Sequence, residues 1–255
     1  MPSRQTFFEV LTMNLFVTSS PFIDGADRAV LSPANGFIEN IRRVLPANPR
    51  VLFICSNPED HYMTCCFAAE TTAAFCAAGI PFSSYQVLDG SNAGKAYPMI
   101  RHSDFIVLSG GHVPTQNAFF RKIRLRHMLK HFPGTVMGIS AGSMNSADMV
   151  YIQPEEPGES APEFQRFAPG LGLTGVNICP HYQKVKENIL DGLRLVEDIT
   201  YADSMGNCFF ALPDNSYFYQ DEHQLLLFGE AYRIRDGILE QICENDEILD
   251  ISELD

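Results

Sequence analysis

Short apolar runs alternate with helical spacings through residues 14–150 of this chain, the order in which strand, helix and strand build a parallel sheet. Residues 14–18, 50–55, 82–88 and 105–108 read as strands. The last, Phe105-Ile106-Val107-Leu108, is apolar at every position, as a central strand covered on both faces must be. Between them, Phe37, Ile38, Ile41 and Leu45 recur at helical spacing behind a capping Ser32. Residues 62–78, rich in Ala, Cys and Phe, predict a helix packed closely on the sheet and stopped at Gly79. A short polar helix around Ala96 and Ile100 follows, then one helix over 117–132 that ends at Pro133-Gly134.

Beyond residue 150 the pattern changes. A short strand at 149–152 leads into residues 154–172, a stretch rich in Pro, Gly and charge and long for a structureless loop, the type of segment that closes over sites. A strand at 176–179 delivers Pro180-His181-Tyr182, and Ile189, Leu190, Leu193 and Val196 predict a helix over 187–199. Five short strands then fall at 207–212, 216–220, 224–228, 231–234 and 238–243, split by Asp214-Asn215, Asp221-Glu222 and Asp236-Gly237. They predict C-terminal β-hairpins that finish one edge of the sheet, with 244–255 as a solvated acidic tail. The whole, residues 1–255, is expected to be a single α/β domain with a mostly parallel sheet.

The chemistry concentrates where the strand Thr135-Val136-Met137-Gly138-Ile139 ends in Gly138-Ile139-Ser140-Ala141-Gly142. G-x-S-x-G after an apolar strand is the nucleophile-elbow pattern, a sharp strand-to-helix turn that leaves Ser140 on its apex. Glycines flank it because the two backbones approach too closely for a Cβ. Ala141 would offer its N–H to an oxyanion. Ligands of open α/β sheets bind outside the carboxyl ends of the strands, so Gly110-Gly111, after the strand 105–108, is expected to face the same crevice. Its amides could serve an oxyanion, or its glycines could simply make a tight turn.

A serine hydroxyl needs a base, and the base needs an orienting group. Among seven histidines, His181 follows an apolar strand at the edge where the elbow points, whereas His127 and His131 lie on a helix, His61 and His102 near helix ends, and His223 in a turn. For the acid, position alone leaves Glu155, Glu156, Asp203 and Asp214 open.

Composition narrows the partners. A net charge of −13 argues against nucleic acid and anionic membranes, and the one dense basic run, Arg121 to His127, reads as a solvated helix face. No run reaches the length of a membrane span and the first residues lack the build of an export leader. Seven scattered cysteines without a C-x-x-C pair fit reduced thiols and a cytoplasmic protein, and no metal or other cofactor is expected.

The strand ending in Gly110-Gly111, the segment Gly138-Ile139-Ser140-Ala141-Gly142-Ser143 and Pro180-His181-Tyr182 together resemble the peptidase E and cyanophycinase family of serine peptidases, in order and spacing over about residues 14–213. The resemblance implies a class I glutamine amidotransferase-like fold, a flavodoxin-like three-layer sandwich. It also implies a Ser-His-Glu triad of Ser140, His181 and, by ungapped spacing, Glu155, with Glu156 one shift away, and an oxyanion turn at Gly110 and Gly111. Two departures stand out. Gly110-Gly111-His112-Val113 replaces the Gly-Gly-Asn-Thr frequent in the family, and Gln183-Lys184-Val185-Lys186-Glu187-Asn188 replaces the basic segment of aspartyl dipeptidases. Lys184 or Lys186 would have to supply a cation for an aspartyl substrate, whereas Glu156 or Glu159 would suit a substrate amine.

The expected activity is dipeptidase E-like hydrolysis of small peptides through an acyl-enzyme, including N-terminal aspartyl dipeptides, by a monomer or homodimer. The rivals are an α/β-hydrolase-type esterase using Asp214 and His223, a glutamine amidotransferase, disfavoured by serine where that chemistry uses cysteine, and a catalytically silent binding protein of the same fold.

Overall fold

A computed structural model describes residues 13–254; the reading of the first residues as lacking a leader lies outside them. Five parallel strands form one half of the main sheet. They are β1 (Asn14–Thr18), β2 (Arg50–Ile54), β3 (Ser84–Leu88), β4 (Phe105–Leu108) and β5 (Thr135–Ile139), in the order β1-β5-β4-β2-β3.

Alternation along these strands builds a core on each face. In β1, Leu15 and Val17 point to one side, where α3 (Ala96–Arg101), α4 (Val113–Lys122), α5 (Leu125–Leu129) and α6 (Ala141–Met144) pack through Ile100, Phe119, Leu129 and Met144. Phe16 points to the other, where α1 (Phe37–Val44) and α2 (His61–Ala77) supply Phe37, Ile41, Ala68 and Phe75. The small residues of α2 let it lie close to the sheet, and Asp60 caps it by accepting from the Met63 amide at 3.0 Å.

The later strands diverge from expectation. Among the described residues β6 (Met149–Tyr151) pairs only with β7 (Phe167–Pro169), a strand inside the stretch expected to be loop. After β8 (Ile178–Cys179), the expected helix over 187–199 is instead a hairpin of β9 (Ile189–Leu190) and β10 (Leu193–Arg194), followed by a π-helical segment at Leu195–Thr200. The reason is Asp191-Gly192 between them. Both adopt positive φ, 51° and 86°, the two-residue turn that matches strand twist.

The remaining hairpins do not all finish one edge. β12 (Tyr217–Gln220), β13 (Leu225–Phe228) and β16 (Ile248–Asp250) extend the main sheet antiparallel beyond β1, making it eight-stranded. β11 (Cys208–Ala211), β14 (Ala231–Arg235) and β15 (Ile238–Cys243) join β8 in a separate four-stranded sheet, with Phe209 stacked on Tyr151 at 4.1 Å. That second sheet positions β8, and therefore His181, beside the carboxyl ends of β1 and β5.

Candidate active site

At the carboxyl end of β5 the chain turns into α6 through Ser140, whose φ of 50° and ψ of −113° lie outside the ordinary regions for a side-chain-bearing residue. The surroundings fix this turn from both sides. The Ser140 amide donates to the carbonyls of Thr18 and Ser19 at 3.1 and 3.0 Å, the Thr18 hydroxyl donates to the Gly138 carbonyl at 2.7 Å, and buried Ser143 donates to the Thr18 carbonyl at 2.8 Å. A Cβ on Gly138 would lie 2.6 Å from the Ser143 backbone, and one on Gly142 would lie 2.2 Å from the Leu108 carbonyl oxygen. Both glycines are therefore required by contact, as the sequence pattern implied.

His181 is delivered by β8 and starts α7 (Tyr182–Val185) in a left-handed conformation, φ 57°. Its Nε2 lies 2.9 Å from Ser140 Oγ and its Nδ1 2.6 Å from Asp214 Oδ1. Asp214 sits in the turn between β11 and β12. An ionised carboxylate only accepts, so Nδ1 carries the proton and donates to Asp214, which leaves Nε2 to accept from the Ser140 hydroxyl.

Burial of the Asp214 carboxyl raises its pKa, but the hydrogen bond and charge of His181 and the donors Ser19 and Gln183 outweigh this and hold it well below the usual carboxylate range. Ser19, fully buried, links the parts: its hydroxyl accepts from the His181 amide at 2.7 Å and donates to Asp214 Oδ1 at 2.9 Å. Gln183 Nε2 donates to Oδ2 at 2.6 Å and its carbonyl oxygen accepts from the Asp214 amide at 3.0 Å.

The position opposite Ser140 across the imidazole is thus held by Asp214, not by Glu155 or Glu156. Glu155 is exposed and lines a cavity of about 210 Å³ together with Ser140, His181, Gly111, Val113 and Met144. Its pKa is raised, first by the protein around its carboxyl and then by the Glu159 and Glu156 charges, against the pull of His112 and His181. No lysine or arginine is among the described residues lining this cavity. Lys184 Nζ lies 2.9 Å from Asp24 and 3.2 Å from Asp214, so it stands behind the carboxylate. Asp24, more than burial, decides its pKa, which is raised. Asp203 accepts from the Tyr151 hydroxyl and pairs with Arg166, while His223, 81 % exposed, pairs with Glu222.

Gly110 and Gly111 abut the elbow. A Cβ on Gly110 would lie 3.5 Å from Ser140 Cβ, and Gly111, at φ 147°, has Ser56 Oγ 2.4 Å from where a Cβ would be. Neither the Gly111 nor the Ala141 amide donates a hydrogen bond within the described residues. Both ring nitrogens of His112 are engaged, Nδ1 with the Thr115 hydroxyl at 2.8 Å. Its Nε2 lies 2.9 Å from Glu159 Oε1, and Glu159 Oε2 accepts from the amides of Glu155 and Glu156. That clasp fixes where Glu155 stands. His112, Glu156 and Glu159 bring ligand atoms within 4.8 Å of one another, a set able to hold a cation.

Sequence reasoning missed Ser19 and Gln183 and left Asp214 as one acid among several. Asp214-Asn215 read as turn residues, and nothing local distinguishes a turn aspartate from one that receives a histidine from 33 positions away.

A model of peptidase family S51 matches residues 17–225. The 1.5 Å crystal structure of a Listeria monocytogenes EGD-e protein assigned as a candidate peptidase E is similar in fold, with a TM-score of 0.58 and 15% identity over 91% of this chain and 99% of that one. No curated protein sequence matches the chain.

Proposed function

Because the chain belongs to peptidase family S51, we propose that it is a serine peptidase of small peptides in which Ser140 is the nucleophile, His181 the general base and Asp214 the group that orients it. The relay from Asp214 Oδ1 through His181 to Ser140 Oγ, 2.6 and 2.9 Å, carries this reading. In it, Nε2 takes the hydroxyl proton as Oγ attacks a peptide carbonyl. The amides of Ala141 and Gly111, with Gly110 shaping the turn, receive the negative oxygen. His181 then returns the proton to the leaving amine, and water hydrolyses the acyl-enzyme by the same route in reverse. Asp214 stays ionised, since its depressed pKa favours the carboxylate that stabilises an imidazolium.

The cavity favours dipeptide-sized substrates, and its one carboxylate, Glu155, suits a substrate amine better than Glu156 does, which is absent from the described lining. Among the described residues neither Lys184 nor Lys186 lines the cavity to meet an aspartyl side chain, and Lys184 is engaged by two carboxylates. We therefore propose amine-led recognition without strict aspartate preference. The glutamine amidotransferase-like arrangement of layers is our reading of the architecture, supported by helices on both faces of the sheet. Free thiols at the described cysteines suit a reducing compartment such as the cytoplasm.

A dipeptide-library screen tests the activity. Hydrolysis by the native chain, abolished in Ser140→Ala and His181→Ala, is expected; turnover that survives both substitutions, or folded protein that cleaves nothing, would refute it.

A further inference from the structure

In sequence, the basic run from Arg121 to His127 reads as the solvated face of one helix over 117–132. The structure breaks that helix. α4 ends at Lys122, Arg124 adopts a left-handed backbone with φ 57° and ψ 39°, and α5 begins at Leu125. On an unbroken helix, Arg121, Arg124, Arg126 and Lys130 would spread over more than half of the circumference, at about 100° per residue. With the break, all four line one cavity of about 820 Å³.

Four observations give this cavity a chemistry. None of its described lining residues is acidic, although the chain carries 31 acidic against 18 basic residues. Arg121, Arg124 and Lys130 make no ion pair among the described residues, whereas Arg126 is anchored by Asp148 at 2.6 Å and the Gly170 carbonyl at 3.2 Å. Beneath the cations lie the buried core residues Phe120, Leu129 and Leu171, so the chemistry the cavity presents is that of its charges. Finally, a left-handed backbone is strained for a side-chain-bearing residue, and this strain falls on one of the unpaired arginines.

The cavity is separate from the serine. It opens beside Met13, just before β1 starts, whereas Ser140 follows the far end of β5, which runs parallel to β1.

We propose that this cavity binds a small molecule carrying two or more phosphate groups. Several unpaired guanidinium and ammonium groups around one space are what a polyphosphate requires, and guanidinium forks match its oxygens in pairs.

Isothermal titration calorimetry in magnesium-free, low-salt buffer tests this with tripolyphosphate, ADP and adenosine, on the native chain, on Arg121→Gln/Arg124→Gln/Lys130→Gln, and on the single variants Lys130→Gln and Lys122→Gln, which each remove one positive charge, the first inside the cavity and the second outside it. Expected are binding of tripolyphosphate or ADP, none of adenosine, and a loss of about tenfold or more in the triple variant but not in Lys122→Gln. ADP is expected to bind more weakly than tripolyphosphate, which carries one phosphate more. Should the triple variant lose its far-ultraviolet circular dichroism, Lys130→Gln alone is expected to weaken binding. Absence of heat with both anions at millimolar concentration, undiminished binding in the folded variants, or an equal loss in Lys122→Gln would overturn the proposal.

Discussion

A catalytic serine is set apart from ordinary serines by the backbone that presents it. Here Gly138 and Gly142 are needed because neighbouring backbone occupies the space of a Cβ, down to 2.2 Å at Gly142. Gly142→Ala is expected to cost about 3 kcal/mol in urea unfolding and to lower activity with it, since Leu108 belongs to a central strand that cannot retreat. Asp214 is tested by asparagine. Asp214→Asn keeps the shape but no longer favours the Nδ1–H tautomer, and kcat/KM is expected to fall about 10⁴-fold with little change in fold. The same carboxylate has a sign in stability. Its folded pKa is depressed, so its contribution is complete above the unfolded value of about 3.9 and is lost as pH falls through the folded value. The stability gap between the native chain and Asp214→Asn should therefore shrink as pH falls below about 4, and a gap that grows on acidification would refute the assignment. Glu155→Gln should raise KM for substrates with a free amine while leaving kcat within a few-fold. A collapse of kcat would instead make Glu155 part of the proton relay.

Among elements, the strands whose residues are apolar throughout were readable. Phe105-Ile106-Val107-Leu108 has no polar position to suggest anything but a buried strand, and it is one. The elbow was readable for a similar reason, because its glycines, its serine and the strand before it are contiguous. Elements that depend on two residues of turn chemistry were not. Ile189, Leu190, Leu193 and Val196 fit a helical period, yet Asp191-Gly192 makes them a hairpin. At Arg124 an unfavourable backbone angle divides a periodic helix, which no local propensity announces. Arg124→Gly is expected to raise stability by roughly 0.5 kcal/mol, the relief of left-handed strain less the entropy of glycine, measured by urea unfolding. A loss of stability would mean that the arginine side chain itself holds the break.

At the scale of the whole molecule, the site is a meeting of two sheets. Ser140 comes from the main sheet, His181 from β8 of the smaller one, and Asp214 from the turn that passes between them. Ser140 and His181 stood out in sequence because each ends an apolar strand, and the structure puts them in contact, but how the C-terminal strands divide between sheets is a tertiary choice, and on it depends which carboxylate faces His181. Phe16, fully buried against Phe37, Tyr217 and Tyr219, joins α1 to the antiparallel half of the main sheet. Phe16→Ala is expected to cost about 3–5 kcal/mol. The most direct test of the account is intact-protein mass spectrometry after reaction with a fluorophosphonate. The account predicts one adduct, mapped to Ser140, that disappears in Ser140→Ala and forms far more slowly in His181→Ala. Folded native protein that takes up no adduct, or one whose label lies at another residue, would contradict it.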